Sequence, residues 1–184
     1  EEIAIGKAKI DNLRPISIED LLGRDKVMPD PNLLGPGIKG QTICVTGAGG
    51  SIGSELCRQI IKYLPQELIL LDNNEFNLFK IMNEIELIKS SRQNLKKIKI
   101  FYKLVDISDQ DSVNLSLKSL YPDIIFHAAA YKHVSILENN KLQAIKNNII
   151  GTNNLIKYSI KKQVKKFIFI STDKAIKPSS IMGS

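Results

Sequence analysis

The stretch TICVTGAGGSIGSELCRQI, residues 42–60, decides the fold of this chain. It begins as a short apolar strand, and Gly47, Gly50 and Gly53 follow at three-residue spacing where a helical pattern starts. A turn this tight needs residues that tolerate positive φ, and a pyrophosphate reaches the backbone only where Cβ atoms are absent. The N-terminus of the following helix offers free N–H groups to such phosphates. No Lys follows Gly53, which excludes a Walker-type phosphate loop.

Further apolar segments alternate with helical patterns along the rest of the chain. The predicted strands are TICVT, ELILLD, KIKIFYKLVD, DIIFHAAA and KFIFIST, and the predicted helices cover residues 52–63, 75–89, 108–120 and 137–162. Near-continuous hydrophobic strands, KFIFIST among them, indicate burial on both faces, as in a parallel sheet with helices on each side. The sequence therefore predicts an α/β fold with a doubly wound, Rossmann-type parallel sheet.

The first 40 residues do not share this pattern. They carry four of the seven prolines within residues 15–36 and show no sustained period. Their single helix candidate is IEDLLG, with Ser17 as N-cap and Asp20 three residues later. We predict an N-terminal arm or linker over residues 1–40 and an NAD(P)-binding Rossmann domain over residues 41–184.

Composition places the chain among ordinary globular proteins, at 184 residues with 43% hydrophobic and 24% charged residues. Cys44 falls in a strand and Cys57 on a helix, which favours a reducing, cytoplasmic compartment over a disulfide framework. The sequence shows no signal peptide and no run of about 18 apolar residues. The net charge of +7 arises from lysine clusters near strand starts without interleaved aromatics. Solvated helix faces explain such clusters, so no nucleic-acid partner is predicted.

An acidic residue follows the glycine turn at the end of the next strand. Asp72 lies 19 residues after Gly53, where a carboxylate would accept hydrogen bonds from an adenosine ribose. The alternative is a strand-end acid that caps the next helix. Asn73 and Asn74 follow, and no Arg stands within seven residues to receive a 2′-phosphate. The cofactor is therefore predicted to be NAD, with NADP disfavoured.

The ends of the third and fourth strands carry further candidates. Asp106 could meet the adenine amino group, and the small residues Ala128–Ala130 would let a flat cofactor pass close to the sheet. His127 and His133 lack a third ligand at sensible spacing, so no metal site is predicted. We expect His127 to be a packed core residue rather than a catalyst.

The whole set of motifs resembles a known family. The chain resembles the short-chain dehydrogenase/reductase superfamily in three features: the glycine spacing, the small residues of the fourth strand, and Ser171 and Thr172 at the end of the fifth strand. In that superfamily a Tyr-x-x-x-Lys motif follows the Ser/Thr of the fifth strand. A closer resemblance is to the capsular-polysaccharide nucleotide-sugar 4,6-dehydratases that act on UDP-N-acetylglucosamine. It rests on LRPISIEDLLGRD, VTGAGGSIGSELCRQI, HAAAYKHV, NNIIGTNNL and ISTDKA. The predicted cofactor-binding residues are Gly47, Gly50, Ser51, Ile52, Gly53, Asp72, Asp106, Ile107, Ala128, Ala129, Ala130, Lys132 and Asn147.

The resemblance implies a reaction in three steps. The C4 hydroxyl of the sugar is oxidised by hydride transfer to NAD(P)⁺, water leaves across C5 and C6, and hydride returns to C6. The family pattern implies Asp173 as general acid, Lys174 as the base at C5, and Thr172, with Ser171 as its alternative, as a hydrogen-bond partner of the C4 oxygen. An Asp–Lys pair on a surface loop is the structural alternative.

Met182 departs from the superfamily pattern, which places a proton-transferring Tyr there. A thioether donates no proton. The resemblance then points to the membrane-anchored, C5-retaining branch, hence to a homo-oligomeric parent on the cytoplasmic face of the inner membrane. The family's Lys would fall at position 186, and its later strands and sugar-binding subdomain would follow. We expect the 184-residue chain alone to show little turnover. A nucleotide-sugar 4-epimerase and a non-catalytic NAD-binding module remain the alternatives.

Overall fold

A computed structural model describes residues 30–180 and 182–183, and only the backbone of residues 31–34. Residues Asn32–Ser184 form one compact unit. The helix predicted after Ser17 lies outside the described residues, so the arm and the boundary near residue 40 stay predictions. Within the described part of the chain, no helix combines the length and the apolar character that crossing a bilayer requires.

Five parallel strands form the central sheet. They are β1 (Thr42–Thr46), β2 (Glu67–Asp72), β3 (Lys99–Leu104), β4 (Ile124–His127) and β5 (Lys166–Phe169). Their spatial order is β3-β2-β1-β4-β5, with all four pairings parallel. This order reverses between β1 and β4, so a crevice opens there at the carboxyl ends of the strands. The predicted doubly wound α/β fold is confirmed.

Helices connect the strands on both sides of the sheet. They are α1 (Pro31–Ile38), α2 (Ser51–Ile60), α3 (Glu75–Ser91), α4 (Gln110–Ser116), α5 (Val134–Asn139), α6 (Lys141–Ala144) and α7 (Thr152–Lys161). Short 3₁₀ turns cover Ile61–Tyr63, Gln93–Leu95 and Asp173–Ala175. Side chains cap two helices: Asn74 accepts from the Asn77 N–H at α3, and Asp109 accepts from two first-turn N–H groups at α4.

The prediction of one continuous helix over residues 137–162 was wrong. Asn140 has φ −132° and ψ 48°, outside the helical region, and it separates α5 from α6. A π-helical segment, Ile145–Gly151, then joins α6 to α7. Such wide turns are rare and often occur at functional sites. The apolar pattern of the sequence continues through both irregularities and so conceals them.

The core lies on both faces of the sheet. Successive strand residues point to opposite faces, so Val45 and Leu70 join the cluster under α2 and α3, whereas Cys44 and Ile69 join the cluster that contains Tyr158 of α7. All five residues of β1 are buried. This two-sided burial explains why the central strands are hydrophobic throughout.

The fifth strand is not the buried strand that KFIFIST predicts. β5 ends at Phe169, and that side chain is 54% exposed. Among the described residues β5 pairs with β4 alone. Ile168 is exposed as well, whereas Phe167 is partly buried against the core, and Ser171 and Thr172 belong to the loop that follows the strand.

Candidate active site

Close packing requires glycine at Gly47 in the loop after β1 and at Gly53 in the first turn of α2. Gly47 has φ +65°, and a Cβ there would lie 2.8 Å from the carbonyl oxygen of Ala128. A Cβ on Gly53 would overlap the carbonyl oxygen of Gly47. Gly50 differs, because its Cβ would meet only the Gly47 oxygen, at 3.3 Å. Gly50 is thus the position at which a ligand can approach the backbone.

The first turn of α2 presents backbone N–H groups at the end of this loop. The helix begins at Ser51, and its N-cap Gly50 is extended, with φ −72° and ψ 170°, and makes no side-chain capping bond. The N–H groups of the first turn, at Ser51 and Ile52, therefore have no side-chain cap. The positive end of the helix dipole lies at the same place, which suits a phosphate.

Asp72 organises the same loop from the end of β2. It is 8% exposed, and its two oxygens accept backbone N–H groups from Gly49 and Asn74, each at 2.8 Å. A carboxylate has about four acceptor directions, so two remain for a ligand hydroxyl. Asp72 therefore fixes the turns around it and lines a cavity, whereas the cap of α3 is Asn74, and the contact of Asp72 with a ribose stays a prediction.

That cavity, the glycine-loop cavity, has a volume of about 230 Å³. Its lining includes these predicted residues: Gly47, Gly50, Asp72, Ile107, Ala128, Ala129, Ala130 and Asn147. Sequence reasoning missed Asn77 and Tyr131 in this lining, and it used Asn73 and Asn74 only to argue for NAD. Tyr131 stands inside HAAAYKHV, the motif that supplied the alanines, and this is the one signal that could have found it.

Five predicted cofactor-binding residues lie outside the lining of the glycine-loop cavity, and two of them, Ile52 and Lys132, line the second cavity described below. Gly53 packs against the backbone of Gly47, and Ser51 lies at the exposed start of α2. Asp106 is exposed, and its Oδ1 accepts from the N–H and the hydroxyl of Ser108, at 2.8 and 2.7 Å. Asp106 therefore closes a turn after β3, and its contact with adenine stays a prediction.

A second cavity, the strand-five cavity, has a volume of about 380 Å³ and shares Ala128 and Ala130 with the first. The structure brings together here Ile52, Lys132, Ser171, Thr172, Lys174 and Met182 of the predicted site. A Cβ on Gly183 would overlap the carbonyl oxygen of Lys174. The loop between these two residues therefore folds back on itself, which explains how Met182 reaches the same cavity as Lys174.

Asp173 is the predicted catalytic residue that does not line the strand-five cavity. Its side chain is 87% exposed, and its Oδ1 lies 3.5 Å from the Lys174 Nζ. A hydrogen bond from the Thr172 hydroxyl, followed by the charge of Lys174, lowers the pKa of Asp173. In this arrangement the carboxylate is ionised near neutral pH and can accept a proton but not donate one.

Comparison with known proteins assigns the chain to a family. Residues 43–184 match the profile of the polysaccharide biosynthesis protein family. The chain belongs to this family.

The relatives in this family are longer than the chain. Over all 184 residues it is 40% identical to the capsular polysaccharide biosynthesis protein CapD of Staphylococcus aureus, and it spans 30% of that relative. It is 41% identical over 146 residues to the membrane protein MJ1061 of Methanocaldococcus jannaschii, and 32% identical over 146 residues to an inverting UDP-N-acetylglucosamine 4,6-dehydratase of Campylobacter jejuni. Each match covers 79% of this chain and 40% of the relative.

A solved structure shares the architecture. The UDP-Glc/GlcNAc 4-epimerase of Campylobacter jejuni superposes with a TM-score of 0.63 at 26% identity, over 78% of this chain and 45% of that one. Nucleotide-sugar dehydratases and epimerases are thus the enzymes that this family member resembles.

His127 is buried between the sheet and the helices, as predicted for a packed residue. It is 1% exposed, and its ring nitrogens hydrogen-bond to the hydroxyls of Thr46 at 2.7 Å and Thr152 at 2.9 Å. Burial lowers the pKa of His127 to about 4, so the ring is neutral near pH 7. Within the described residues, no three His, Cys, Asp or Glu side chains cluster as a metal site would require.

Proposed function

We propose that the protein is the NAD-binding part of a nucleotide-sugar 4,6-dehydratase, a lyase that acts on UDP-N-acetylglucosamine. The observation that carries the proposal is the pair of cavities that share Ala128 and Ala130. One cavity presents a glycine turn and a strand-end acid, and the other presents Thr172 and Lys174. A dinucleotide and a sugar could therefore meet at the alanine strand end.

The glycine-loop cavity fits the adenosine half of the cofactor. Gly50 leaves room for a pyrophosphate against the start of α2, and Asp72 retains acceptor directions for a ribose hydroxyl. No Arg or Lys lines the described part of this cavity, so a 2′-phosphate would find no cation there. NAD is therefore favoured over NADP. When bound, NAD would accept a hydride from the sugar C4 and later return it to C6.

The side chains of the strand-five cavity would then carry the proton transfers. Lys174 removes the C5 proton, and Asp173 gives a proton to the C6 hydroxyl as its C–O bond breaks and water leaves. The Thr172 hydroxyl, or that of Ser171, hydrogen-bonds to the C4 oxygen. Met182 transfers no proton, so the C4 hydroxyl proton passes to Asp173, Thr172 or water. Asp173 can act as an acid only after the sugar desolvates it, because desolvation raises a carboxyl pKa.

The parent protein is proposed to be a membrane-associated homo-oligomer on the cytoplasmic face of the inner membrane. A relative that is 41% identical over 146 residues is named as a membrane protein, which supports membrane association. Cell fractionation of the full-length protein, followed by cross-linking of the membrane fraction, tests both statements. Recovery as a monomer in the soluble fraction would refute them.

The proposed reaction is tested by mass spectrometry of the full-length protein incubated with UDP-N-acetylglucosamine. Loss of one water from the sugar is expected, and NMR of the product is expected to show retained configuration at C5. Loss of water with inverted C5 would refute the branch assignment drawn from Met182. Restoring Tyr in the variant Met182→Tyr should leave or raise activity, and complete loss would refute the view that Met182 is dispensable.

A 4-epimerase is the second candidate, because a solved epimerase shares the fold at 26% identity. An epimerase returns hydride to C4 on the opposite face, so its product keeps the mass of the substrate. An unchanged mass with a new C4 configuration would establish the epimerase. Binding of NADH without any conversion of UDP-sugars would favour the non-catalytic module.

A further inference from the structure

Basic residues collect at the end of the sheet where the strands begin. All five strands are parallel, so they start at one end of the sheet, and the helices that connect them run back to that end. Five segments therefore meet there, each ending at or just before the first residue of a strand: 39–41, 61–67, 92–99, 117–123 and 161–166. We call their surface the amino-end face. It lies opposite the crevice, which opens at the carboxyl ends of the strands.

The amino-end face holds the excess positive charge of the chain. Its segments contain eleven of the 26 Lys and Arg residues and two of the 19 Asp and Glu residues, so their net charge is +9, against −2 for the rest of the chain. The basic residues are Lys39, Lys62, Arg92, Lys96, Lys97, Lys99, Lys118, Lys161, Lys162, Lys165 and Lys166. Of these, Lys161 alone lies within an α-helix. The solvated helix faces expected from the sequence therefore do not account for the clusters, which the sheet topology brings together.

Hydrogen bonds join the segments into one continuous surface. The Gln66 N–H donates to the Gln41 carbonyl at 2.9 Å, which links the starts of β2 and β1. The Asp123 N–H donates to the Thr42 carbonyl at 2.8 Å, and the Lys165 N–H donates to the Asp123 carbonyl at 2.9 Å. The basic residues are thus held on one face by the backbone of the sheet.

Little on the amino-end face neutralises this charge. Its two acids, Glu67 and Asp123, pair with Lys99 at 3.5 Å and with Lys165 at 2.8 Å. The other ion pairs of the described residues involve no residue of this face. The carboxyl ends of α2, α3, α4 and α7 add about −0.5 charge each, about −2 together, and this favours some Lys and Arg beside them. A net charge of +9 exceeds what the helix ends require.

The chemistry of the amino-end face fits an anionic membrane surface. Its exposed aromatic residue is Tyr121, 65% exposed, with the Lys162 Nζ 5.3 Å from the centre of the ring. A Tyr beside a Lys is typical of the membrane–water interface. One exposed aromatic gives no row on which the bases of a single strand could stack. The segments are loops and carboxyl ends of helices, so none of them is an element that enters a groove of DNA.

We propose that the amino-end face docks on a membrane surface rich in acidic phospholipid. Each Lys or Arg near such a surface strengthens binding by about fivefold. β1 has five residues and so spans about 16 Å, which is about two screening lengths at about 0.15 M salt. Charges at the crevice end therefore contribute little to docking. In this orientation the crevice opens away from the lipid, toward a soluble nucleotide-sugar. The docking depends on the charge of the face and not on the proposed reaction.

Docking is tested by lysine acetylation of the full-length protein on vesicles, measured by mass spectrometry. One set of vesicles is phosphatidylcholine, and in the other a third of the lipid is phosphatidylglycerol. Lys96, Lys97 and Lys166 are expected to react at least about fivefold more slowly on the phosphatidylglycerol vesicles, whereas Lys80 and Lys146, exposed elsewhere, should react equally on both. Salt at about 1 M shortens the screening length to about 3 Å and should abolish the protection. Equal labelling on both vesicles, or protection that persists at about 1 M salt, would overturn the proposal.

Two triple variants separate the amino-end face from the overall charge. They remove the same charge at exposed positions: Lys96→Gln, Lys97→Gln and Lys166→Gln on the face, and Lys80→Gln, Lys141→Gln and Lys146→Gln elsewhere. At about fivefold per residue, the first should weaken docking by about 100-fold and abolish the protection of Lys118 and Lys161, whereas the second should keep it. Equal loss in both variants would refute a role of this face. Protection by a DNA duplex but not by phosphatidylglycerol vesicles would assign the face to nucleic acid and refute the membrane. Neither experiment measures dehydration, so both decide the docking even if the proposed function fails.

Discussion

His127 makes the folded protein sensitive to mild acid. Burial lowers its pKa to about 4 from an ordinary value of 6.5. Between these pH values His127 is therefore protonated in the unfolded chain and neutral in the folded chain. Between these two values the unfolded state holds more protons, and stability therefore rises with pH. The contribution is complete above pH 6.5 and is lost as the pH falls toward 4. At pH 5 the unfolded imidazole is almost fully charged, and the free energy of unfolding should be about 2 kcal/mol lower than at pH 8.

Urea unfolding at pH 8, 6.5 and 5 measures this loss, followed by circular dichroism. His127→Gln cannot take up a proton at this position, so its loss between pH 8 and 5 should be about 2 kcal/mol smaller than that of the unmodified protein, although it starts less stable. His133→Gln, at the exposed start of α5, is the matched control and should keep the full pH dependence. Equal losses in His127→Gln and the unmodified protein would refute the assignment of a buried, neutral His127.

Three further predictions concern packing and chemistry. Gly53→Ala places a methyl group on the carbonyl oxygen of Gly47 and should weaken NADH binding at least about 10-fold by fluorescence titration. Gly37→Ala, which meets no atom within 4 Å, should not change it. Tyr158→Phe removes a buried hydroxyl that hydrogen-bonds to two backbone carbonyls. It should lower the free energy of unfolding in urea by about 1–3 kcal/mol, and a smaller loss would indicate that water replaces the hydroxyl. In the full-length protein, Lys174→Ala should abolish water loss from UDP-N-acetylglucosamine while NADH still binds, and retained turnover would exclude Lys174 as the base.

The fold was predictable where burial alone sets the residue pattern. β1, β2 and β4 are covered on both faces, so their sequences are apolar throughout and their positions follow from the sequence. β5 has a similarly apolar sequence, but among the described residues it pairs with β4 alone, with Phe167 partly buried and Ile168 and Phe169 exposed. The prediction of a buried fifth strand is therefore not met within the described residues, because no described segment pairs with the second side of β5.

The site was predictable where its geometry is local. Gly47 and Gly53 contact each other within one turn, and their spacing signals that turn directly. Gly49 is equally constrained, because a Cβ there would lie 2.6 Å from Asn77, but this partner stands 28 positions away on α3. Asn148 likewise meets Tyr131 only because the π-helical segment turns it toward the strand end. Neither contact leaves a pattern in the sequence around it.

The two halves of the crevice differ in how they are held, and this has a consequence for mechanism. The cofactor half rests on groups fixed by buried strands: Asp72 is 8% exposed, and Gly47 packs against the backbone after β4. The proposed catalytic residues Thr172–Lys174 lie at a 3₁₀ turn after β5, where the Asp173 side chain is 87% exposed and its pKa is lowered. We therefore expect binding of the proposed cofactor to need little rearrangement, and proton donation by Asp173 to need a bound sugar that excludes water. We thus expect substitutions in the glycine loop to act on cofactor affinity and substitutions from Thr172 to Lys174 to act on turnover alone.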